Sequence, residues 1–157
     1  MNKKNIIVSK KNIDSSKMDI FIDTVYNNFI ELVNVSQLQH NKQAIRDIFK
    51  CGTTQIYLIL VNKKITSYIV GKIMTLNDGR KVLYISYLYT SPKFRKHGFA
   101  SDLLKMADIV CKKNMLDGIL LTCDSENIGV YNFYLKKGFM PDLLLRTYGK
   151  YEVMYKG

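Results

Sequence analysis

The sequence predicts an α/β fold with a mixed sheet, in a single domain that covers residues 1–157. Two segments with helical spacing of apolar residues precede three successive runs rich in β-branched and aromatic residues. Short turns join these runs, which is typical of antiparallel hairpins. After residue 92 a helical segment is followed by another strand-like run, which indicates a βαβ unit. Together these observations predict the order β-α-α-β-β-β-α-β-α-β-β.

The first third of the chain predicts one strand and two helices. A short strand is expected at about 5–9, and Ser15-Ser16 is a good N-cap pair for a helix at about 16–34. A weaker helix is expected at about 41–50. The first helix is amphipathic because its apolar residues recur at helical spacing, at Met18, Phe21, Ile22, Val25, Phe29, Leu32 and Val33.

The middle of the chain predicts three strands, at about 54–62, 65–76 and 81–90. A short turn joins the first two, and Asn77-Asp78-Gly79 is a strong hairpin signal between the second and third. The third run is apolar on both faces, as expected of a central buried strand.

The last third predicts a helix at about 98–113, a strand at 118–123 and a helix at about 127–137. Gly138 is expected as the C′ residue that ends the last helix. Two further strands are expected at about 139–147 and 150–156.

The basic charge does not by itself indicate a nucleic-acid partner. The chain has 24 lysines and arginines against 13 acidic residues, a net charge of +11. However, a nucleic-acid-binding module needs arginines and aromatic residues clustered on one face. The arginines are dispersed instead, at Arg46, Arg80, Arg95 and Arg146. We therefore interpret the excess of lysine as a compositional bias and keep a basic nucleic-acid-binding module only as a minor alternative.

Several other classes of protein are disfavoured. The longest apolar run, 56–61, is far shorter than the roughly 20 residues that cross a membrane. Three cysteines, odd in number and without a CxxC spacing, argue against a disulfide framework and a zinc site. We therefore expect no membrane span, no metal and a reducing, cytoplasmic location.

The most informative segment, 91–101, reads SPKFRKHGFAS and lies between a predicted strand and a predicted helix. The first turn of a helix has unpaired backbone N–H groups, and its dipole favours anions, so a diphosphate fits there. Gly98 allows close approach of the backbone, and the flanking cations are Lys93, Arg95, Lys96 and His97.

A second motif follows at a suitable distance. Residues 127–139 read NIGVYNFYLKKGF. Together the two segments resemble the GNAT superfamily of acetyl-CoA-dependent N-acetyltransferases, in which the patterns are V-x-P-x-[YF]-R-x-x-G-x-[GA] and N-x-x-A-x-x-[FY]-Y-x-x-x-G-F. The resemblance implies the GNAT acyl-CoA N-acyltransferase fold, with acetyl-CoA as co-substrate, no metal and an amine as acceptor.

The resemblance also implies a role for individual residues. Residues 95–101 would hold the pyrophosphate of coenzyme A, and the end of the fourth strand would bind its pantetheine arm like an added strand. Asn127 would bind the pantetheine or cap the following helix, and Tyr134 would protonate the leaving thiolate. The cofactor-binding residues so implied are Leu88, Tyr89, Thr90, Arg95, Lys96, His97, Gly98, Phe99, Ala100, Ser101, Asn127, Phe133 and Tyr134.

The chain departs from the family pattern where many members carry a general base. Residues 84–88 read YISYL and contain no carboxylate, so Tyr87 or a chain of waters is expected to take that role, unless the amine arrives deprotonated. The missing carboxylate also favours an alternative, a GNAT-fold protein that binds acyl-CoA without turnover. A nucleophilic role for Cys123 is disfavoured, because this cysteine lies in a strand that is expected to be buried.

Two kinds of acceptor remain open, a protein lysine or α-amine and a small amine. Whether the protein forms a homodimer is also open. The resemblance assigns acceptor binding to residues 16–50 and 139–151, in which no motif is visible. Acidic residues that would suit a cationic acceptor, or simply lie on the surface, are Asp19, Asp23, Glu31, Asp78, Asp124, Glu126 and Asp142.

Overall fold

A computed structural model describes residues 5–35, 38–145 and 149–157 of the chain. In these ranges seven strands and four α-helices follow one another in the predicted order. Their bounds are β1 Asn5–Ser9, α1 Ser15–Asn28, α2 Lys42–Lys50, β2 Thr54–Val61, β3 Lys64–Thr75, β4 Lys81–Thr90, α3 Phe99–Lys113, β5 Gly118–Asp124, α4 Ile128–Lys136, β6 Met140–Pro141 and β7 Tyr151–Lys156.

The strands form one mixed sheet in the order β1-β2-β3-β4-β5-β7-β6. β1 pairs antiparallel with β2, and β7 pairs antiparallel with both β5 and β6. β4 and β5 are parallel, with Val82 opposite Gly118 and Ile85 opposite Leu121. The parallel pair is the expected consequence of the α3 crossover, because a helix between two strands returns the chain in the same direction. The predicted mixed sheet is thus confirmed.

Left-handed residues make the tight turns of the sheet. Asn62 and Lys63 join β2 to β3 with φ of 52° and 66°. Two consecutive left-handed residues are typical of a type I′ hairpin, whose twist matches that of the strands. Between β3 and β4 the N–H of Leu76 donates to Arg80 O at 2.8 Å, and Gly79 takes a φ of 93° that favours glycine.

By its contacts the chain divides into two compact units. The first contains the chain up to Val70 together with Tyr87–Leu103. Its core consists of apolar faces from α1 and α2 with inward residues of three strands, and it includes Phe21, Ile22, Val25, Ile45, Phe49, Ile56, Leu58, Tyr68, Val70 and Tyr87. The amphipathic spacing of α1 and α2 therefore has the expected role, because their apolar stripes are buried in this core.

The second unit contains Gly71–Ser86 and Leu104–Gly157. Its buried residues come from both faces of the parallel pair, from one face of α3, from β7 and from the residue before β6. They include Val82, Leu83, Ile85, Leu104, Ala107, Val110, Ile119, Leu120, Leu121, Phe139 and Met154. Among the described residues no helix is both long and apolar enough to cross a membrane.

Two predicted boundaries of the first helix are wrong. The N-cap of α1 is Asp14, whose carboxylate accepts the N–H of Lys17 at 2.9 Å. Ser16 donates its hydroxyl to the same carboxylate at 2.8 Å, and the backbone bond is the main reason why the pKa of Asp14 falls below its ordinary value. At the other end α1 stops at Asn28, because Phe29 leaves helical geometry and a 3-10 turn follows over Ile30–Leu32.

The strand predicted at 139–147 is also too long, since β6 comprises only Met140–Pro141. Asp142 bends the chain after it, because its Oδ1 accepts the N–H of Leu144 at 3.4 Å and so forms an Asx turn. The last part of the predicted strand, 146–147, lies outside the described residues.

Arg80 joins this bend to the β3–β4 turn. One terminal nitrogen of its guanidinium lies 2.8 Å from Asp142 Oδ2 and 2.8 Å from Asp78 Oδ2. The guanidinium also lies 4.5 Å from the ring centroid of Tyr155. Because the side chain of Asp142 is only 6% exposed, Arg80 supplies the countercharge that a buried carboxylate requires.

Replacing Arg80 with alanine leaves the Asp142 carboxylate without this cation. We expect the free energy of unfolding in urea to fall by about 3 kcal/mol, as for other broken buried ion pairs. The matched control is Lys42→Ala, which removes an ion pair with Asp23 whose side chains are 47% and 55% exposed. That change should cost no more than about 0.5 kcal/mol. Equal losses in the two variants would contradict the role given to Arg80.

Candidate functional site

The segment between β4 and α3 has an unusual backbone. A 3-10 turn over Pro92–Phe94 is followed by Lys96 and Gly98, both left-handed, with φ of 64° and 81°. A lysine in this region is strained, since a side chain disfavours left-handed φ. Turns of this kind direct successive N–H groups toward one side and form a concavity that binds anions. A Cβ at Gly98 would meet nothing within 4 Å, so this position faces open space.

The N-terminus of α3 adds further donors. The N–H of Asp102 bonds to Gly98 O at 2.9 Å and closes the first turn of the helix. In an α-helix the N–H groups before this bond have no intrahelical partner, and here they belong to Phe99, Ala100 and Ser101. Phe99 is buried, and its ring stacks on that of Phe94 with centroids 6.0 Å apart. The side chain of Phe99 thus anchors the segment, and only its backbone is suited to ligand binding.

The end of β4 is tied to this segment by Arg95. The Nε of Arg95 donates to Thr90 O at 3.0 Å, and the guanidinium lies 5.9 Å from the ring centroid of Tyr89. Lys96 and His97 are exposed, so their charge faces solvent. The structure therefore brings the end of β4 and the basic segment together within the first unit.

Ser67 on β3 also supports the end of β4, and the sequence analysis did not identify it. Its hydroxyl donates to Tyr89 O at 2.7 Å and lies 2.8 Å from Thr90 Oγ1. Because the single hydrogen of Ser67 is used on the carbonyl, Thr90 is the donor in the second bond. The available signal was a pair of adjacent hydroxyl residues, Thr66 and Ser67, at the start of the buried stretch of β3. Leu88, Tyr89 and Thr90 lie beyond the residues that the β4–β5 register joins.

In the second unit, Asn127 and Gly138 bound helix α4. Asn127 is the N-cap, and its Oδ1 accepts the N–H of Val130 at 3.3 Å. At the other end the N–H of Gly138 bonds to Leu135 O and that of Phe139 to Tyr134 O, at 3.1 and 3.0 Å. With φ of 95° at Gly138, this is a Schellman motif, and the predicted C′ glycine is confirmed.

The Schellman motif joins the backbones of Tyr134 and Phe139, whose rings pack together, but it does not involve the Tyr134 hydroxyl. The Tyr134 ring lies edge-on to Phe133 and Phe139, with centroids 5.4 and 5.5 Å apart. Within the described chain the hydroxyl has no hydrogen-bond partner, and no fully buried polar side-chain atom there lacks one. The hydroxyl therefore keeps a small accessible surface. Burial, and then Cys123, raises the pKa of Tyr134 above its ordinary value, so the phenol is protonated at neutral pH.

The first unit contains a second feature that no motif indicated, a buried histidine. His40 is 4% exposed and lies between α1 and α2 in sequence. Its Nδ1 is 2.7 Å from the Tyr87 hydroxyl, and its Nε2 is 2.9 Å from Tyr26 O. Nothing in the sequence marks this residue, because its partners are 14 and 47 positions away.

A family model for GNAT acetyltransferases matches residues 23–139, about three quarters of the chain. The chain belongs to the GNAT acetyltransferase family. A search of curated protein sequences gives no match. The predicted family and the predicted class of enzyme, an acyltransferase, are thus confirmed.

Solved structures of GNAT proteins have a similar fold. The structure of Arabidopsis thaliana Naa50 with the bisubstrate analogue CoA-Ac-MVNAL is 19% identical in sequence. The match covers 96% of this chain and 98% of the Naa50 chain, with a TM-score of 0.65. A GNAT acetyltransferase of Staphylococcus aureus Mu50 is 18% identical over 98% of both chains, with a TM-score of 0.71. An aminoglycoside acetyltransferase from a soil metagenome, bound to trehalose, is 11% identical over 93% and 94%, with a TM-score of 0.67. At these identities the likeness supports the fold alone.

Four of the acidic residues considered for a cationic acceptor in this GNAT chain already have partners. Asp78 and Asp142 bind Arg80, Asp23 lies 3.1 Å from Lys42, and Asp124 lies 3.9 Å from Lys150. These pairs leave less negative charge for a ligand than the sequence suggests. In the described ranges no three His, Cys, Asp or Glu side chains are grouped to hold a metal ion.

Burial lowers the reactivity of two cysteines of this GNAT domain. Cys123 is buried, and burial raises the pKa of its thiol to about 11. Burial likewise raises the pKa of Cys111 to about 11. Since the thiolate is the nucleophile, both are almost entirely inactive at neutral pH.

We expect iodoacetamide to label Cys51 of the folded protein well before Cys111 and Cys123 at pH 7.5. Because a raised pKa lowers the thiolate fraction, labelling of the latter two should accelerate about tenfold per pH unit up to pH 10. Peptide mass spectrometry follows each site, and a urea-unfolded sample is the control in which the three rates converge. Equally fast labelling of Cys123 in the folded protein would contradict this expectation.

Proposed function

We propose that this protein is an N-acetyltransferase that moves an acetyl group from acetyl-CoA to a primary amine by direct transfer. The observation that carries the proposal is the left-handed segment at Lys96 and Gly98, which leads into the free N–H groups of α3 in a GNAT chain. The bisubstrate analogue bound to Naa50, by its name, joins coenzyme A, an acetyl group and a peptide. This combination supports the same chemistry here.

The residues of this segment fit a coenzyme diphosphate. A diphosphate needs several donors on one side and positive potential nearby, and backbone N–H groups at a helix N-terminus provide both. Phe99, Ala100 and Ser101 supply such donors, while Lys96 and His97 supply exposed basic groups. Arg95 holds the segment to β4 and adds its charge.

The end of β4 is proposed to bind the pantetheine arm through its backbone. Tyr89 O and Thr90 O already accept from Ser67 and Arg95. A carbonyl oxygen has two lone pairs, so each can accept a further bond. The contacts with Ser67 and Arg95 therefore fix the direction of these carbonyls and leave each oxygen one lone pair for a hydrogen bond to the ligand. Asn127, which caps α4, remains a proposed pantetheine contact.

Acetyl-CoA, when bound, supplies a thioester carbonyl that a neutral amine can attack. Tyr134 is proposed to donate its phenolic proton to the departing thiolate. Its hydroxyl suits this role because it is protonated at neutral pH and has no hydrogen-bond partner in the described chain. Its raised pKa weakens it as an acid, so the transfer must rely on placement more than on acidity.

The acceptor is proposed to be a primary amine of a protein or of a small molecule. The analogue bound to Naa50 includes the peptide MVNAL, and the soil protein is named an aminoglycoside acetyltransferase. The single domain, the cytoplasmic location and the homodimer stay predictions.

The direct test is release of coenzyme A thiol from acetyl-CoA in the presence of a panel of peptides, polyamines and aminosugars. Turnover with at least one amine, with the acetylated product identified by mass, is the expected result. Calorimetric binding of acetyl-CoA without any turnover would instead support an acyl-CoA-binding protein. Absence of binding at about 1 mM would contradict the coenzyme site altogether.

Gly98→Ala should weaken acetyl-CoA binding at least tenfold. The matched control is Gly79→Ala, because Gly79 also has a positive φ, 93° against 81°, and also has nothing within 4 Å of a Cβ. Both variants should lose about 1 kcal/mol of unfolding free energy from left-handed strain. Calorimetry and urea unfolding separate the two effects, and equal affinity in both variants would contradict the diphosphate assignment.

Tyr134→Phe should lower kcat about 100-fold, which lies within the usual range for a lost general acid, while KM for acetyl-CoA changes less than threefold. The fold should tolerate it, because both ring contacts remain and the hydroxyl has no partner in the described chain. Tyr131→Phe on the same helix is the control and should keep full turnover. If Tyr134→Phe has wild-type kcat at every pH, the proton-donor assignment is wrong.

A further inference from the structure

His40 and Tyr87 form a buried polar pair in the first unit. Tyr87 is 6% exposed and His40 is 4% exposed. The two hydrogen bonds of the imidazole fix its tautomer. Tyr26 O can only accept, so Nε2 carries a hydrogen, and in the neutral ring Nδ1 then accepts the hydroxyl hydrogen of Tyr87.

This arrangement satisfies His40 in both protonation states. When Nδ1 gains a proton, both ring nitrogens become donors, to Tyr26 O and to the Tyr87 oxygen. A hydroxyl oxygen can also accept a hydrogen bond, so rotation about the phenolic C–O bond of Tyr87 lets its oxygen accept from the protonated Nδ1. A buried group that titrates without losing a hydrogen bond avoids the usual cost of burying an unpaired polar atom.

The surroundings of His40 also suit a cation. The ring of Tyr26 stacks face to face on the imidazole, with ring centroids 5.3 Å apart and planes inclined by 10°. Aromatic faces attract positive charge.

In the described chain, titratable and charged groups of three elements lie beside His40 or beside its stacking partner Tyr26. α1 contributes Tyr26, β4 contributes Tyr87, and α2 contributes Lys42, whose ammonium lies 5.4 Å from the centroid of the Tyr26 ring. The charge of Lys42 is partly balanced by Asp23 at 3.1 Å.

We propose that Tyr87 and His40 accept the proton that the acceptor amine must lose before acetyl transfer. This inference rests on the proposed function. β4 offers no carboxylate between Tyr84 and Leu88, whereas Tyr87, 6% exposed, carries a hydroxyl that is hydrogen-bonded to a base.

The proton balance is simple. An N–H bond of the substrate ammonium breaks and its proton goes to the Tyr87 oxygen, while the Tyr87 O–H bond breaks and its proton goes to Nδ1 of His40. The products are a neutral amine, an intact phenol and an imidazolium. The imidazolium returns its proton to water by the reverse path. Tyr87 is thus the catalytic residue, and His40 is a positioning residue that acts through it.

Nuclear magnetic resonance tests the pair directly, because His40 and His97 are the two histidines of the chain. With ¹⁵N-labelled histidine, the neutral imidazole of His40 in the wild type should show the Nε2–H tautomer, and Nδ1 should take up a proton on acidification while the protein stays folded. In Tyr87→Phe its titration midpoint should fall, since the cation loses a charge-assisted acceptor. A neutral His40 down to pH 5, or an Nδ1–H tautomer, would overturn the inference.

Kinetics then tests the role in catalysis. With acetyl-CoA and one amine that supports turnover, kcat/KM of the wild type should fall on acidification below pH 7. In His40→Gln, whose amide cannot take up the proton, the part of this acidic limb that exceeds the amine's own titration should disappear, and kcat/KM at pH 8 should fall at least tenfold. Tyr87→Phe should show the same two effects on the acidic limb and on kcat/KM at pH 8. Using one amine throughout keeps its own titration common to all variants, and KM for acetyl-CoA should change less than threefold.

The matched control is Tyr68→Phe. It also removes a buried tyrosine hydroxyl of the first unit, here bonded to Asn28 Nδ2 at 2.9 Å, but it leaves His40 untouched. This variant should keep the acidic limb. If the wild type does not bind acetyl-CoA, or acetylates none of the amines, the proposed function is refuted and this inference with it. An active wild type whose limb persists in His40→Gln refutes the inference alone.

Discussion

The carbonyl groups at the end of β4 are the constraint on which much of the first unit depends. A carbonyl in a partly buried strand requires a donor, and here the donors are the side chains of Ser67 and Arg95. The hydrogen bond from Arg95 to Thr90 O attaches the basic segment to the end of β4, the strand that precedes it in the chain. The left-handed residues Lys96 and Gly98 and the first residue of α3 follow directly after Arg95 in the chain.

The same requirement governs the other polar groups of the two cores. His40 is buried because Tyr87 and Tyr26 O bond to both of its nitrogens, and Asp142 is buried because Arg80 neutralises it. In the described chain no fully buried polar side-chain atom lacks a partner. The Tyr134 hydroxyl differs, because it lies at the surface end of a packed ring and has no partner there. That difference, and not the aromatic packing, distinguishes it as a chemical group.

The positive charge of the chain has two parts with different physical roles. The charge of Arg80 is balanced within the fold by Asp78 and Asp142 and does not reach a ligand. The charge of Lys96 and the neighbouring basic side chains faces solvent beside free backbone donors. Only the second kind produces the local potential that a polyanionic coenzyme needs, so the net charge of +11 overstates what is available for binding.

The sequence by itself determined the order of elements, the β3–β4 turn and the end of α4, since these depend on local spacing and on glycines at left-handed positions. It also determined the family, because the two motifs at 91–101 and 127–139 stand at the spacing that the family pattern has. Only the tertiary structure decided that Asp14 caps α1, that β6 ends at Pro141 and that His40 meets Tyr87. The physical reason is distance along the chain: Arg80 and Asp142 are 62 positions apart, and no local pattern records a hydrogen bond that only folding brings into range.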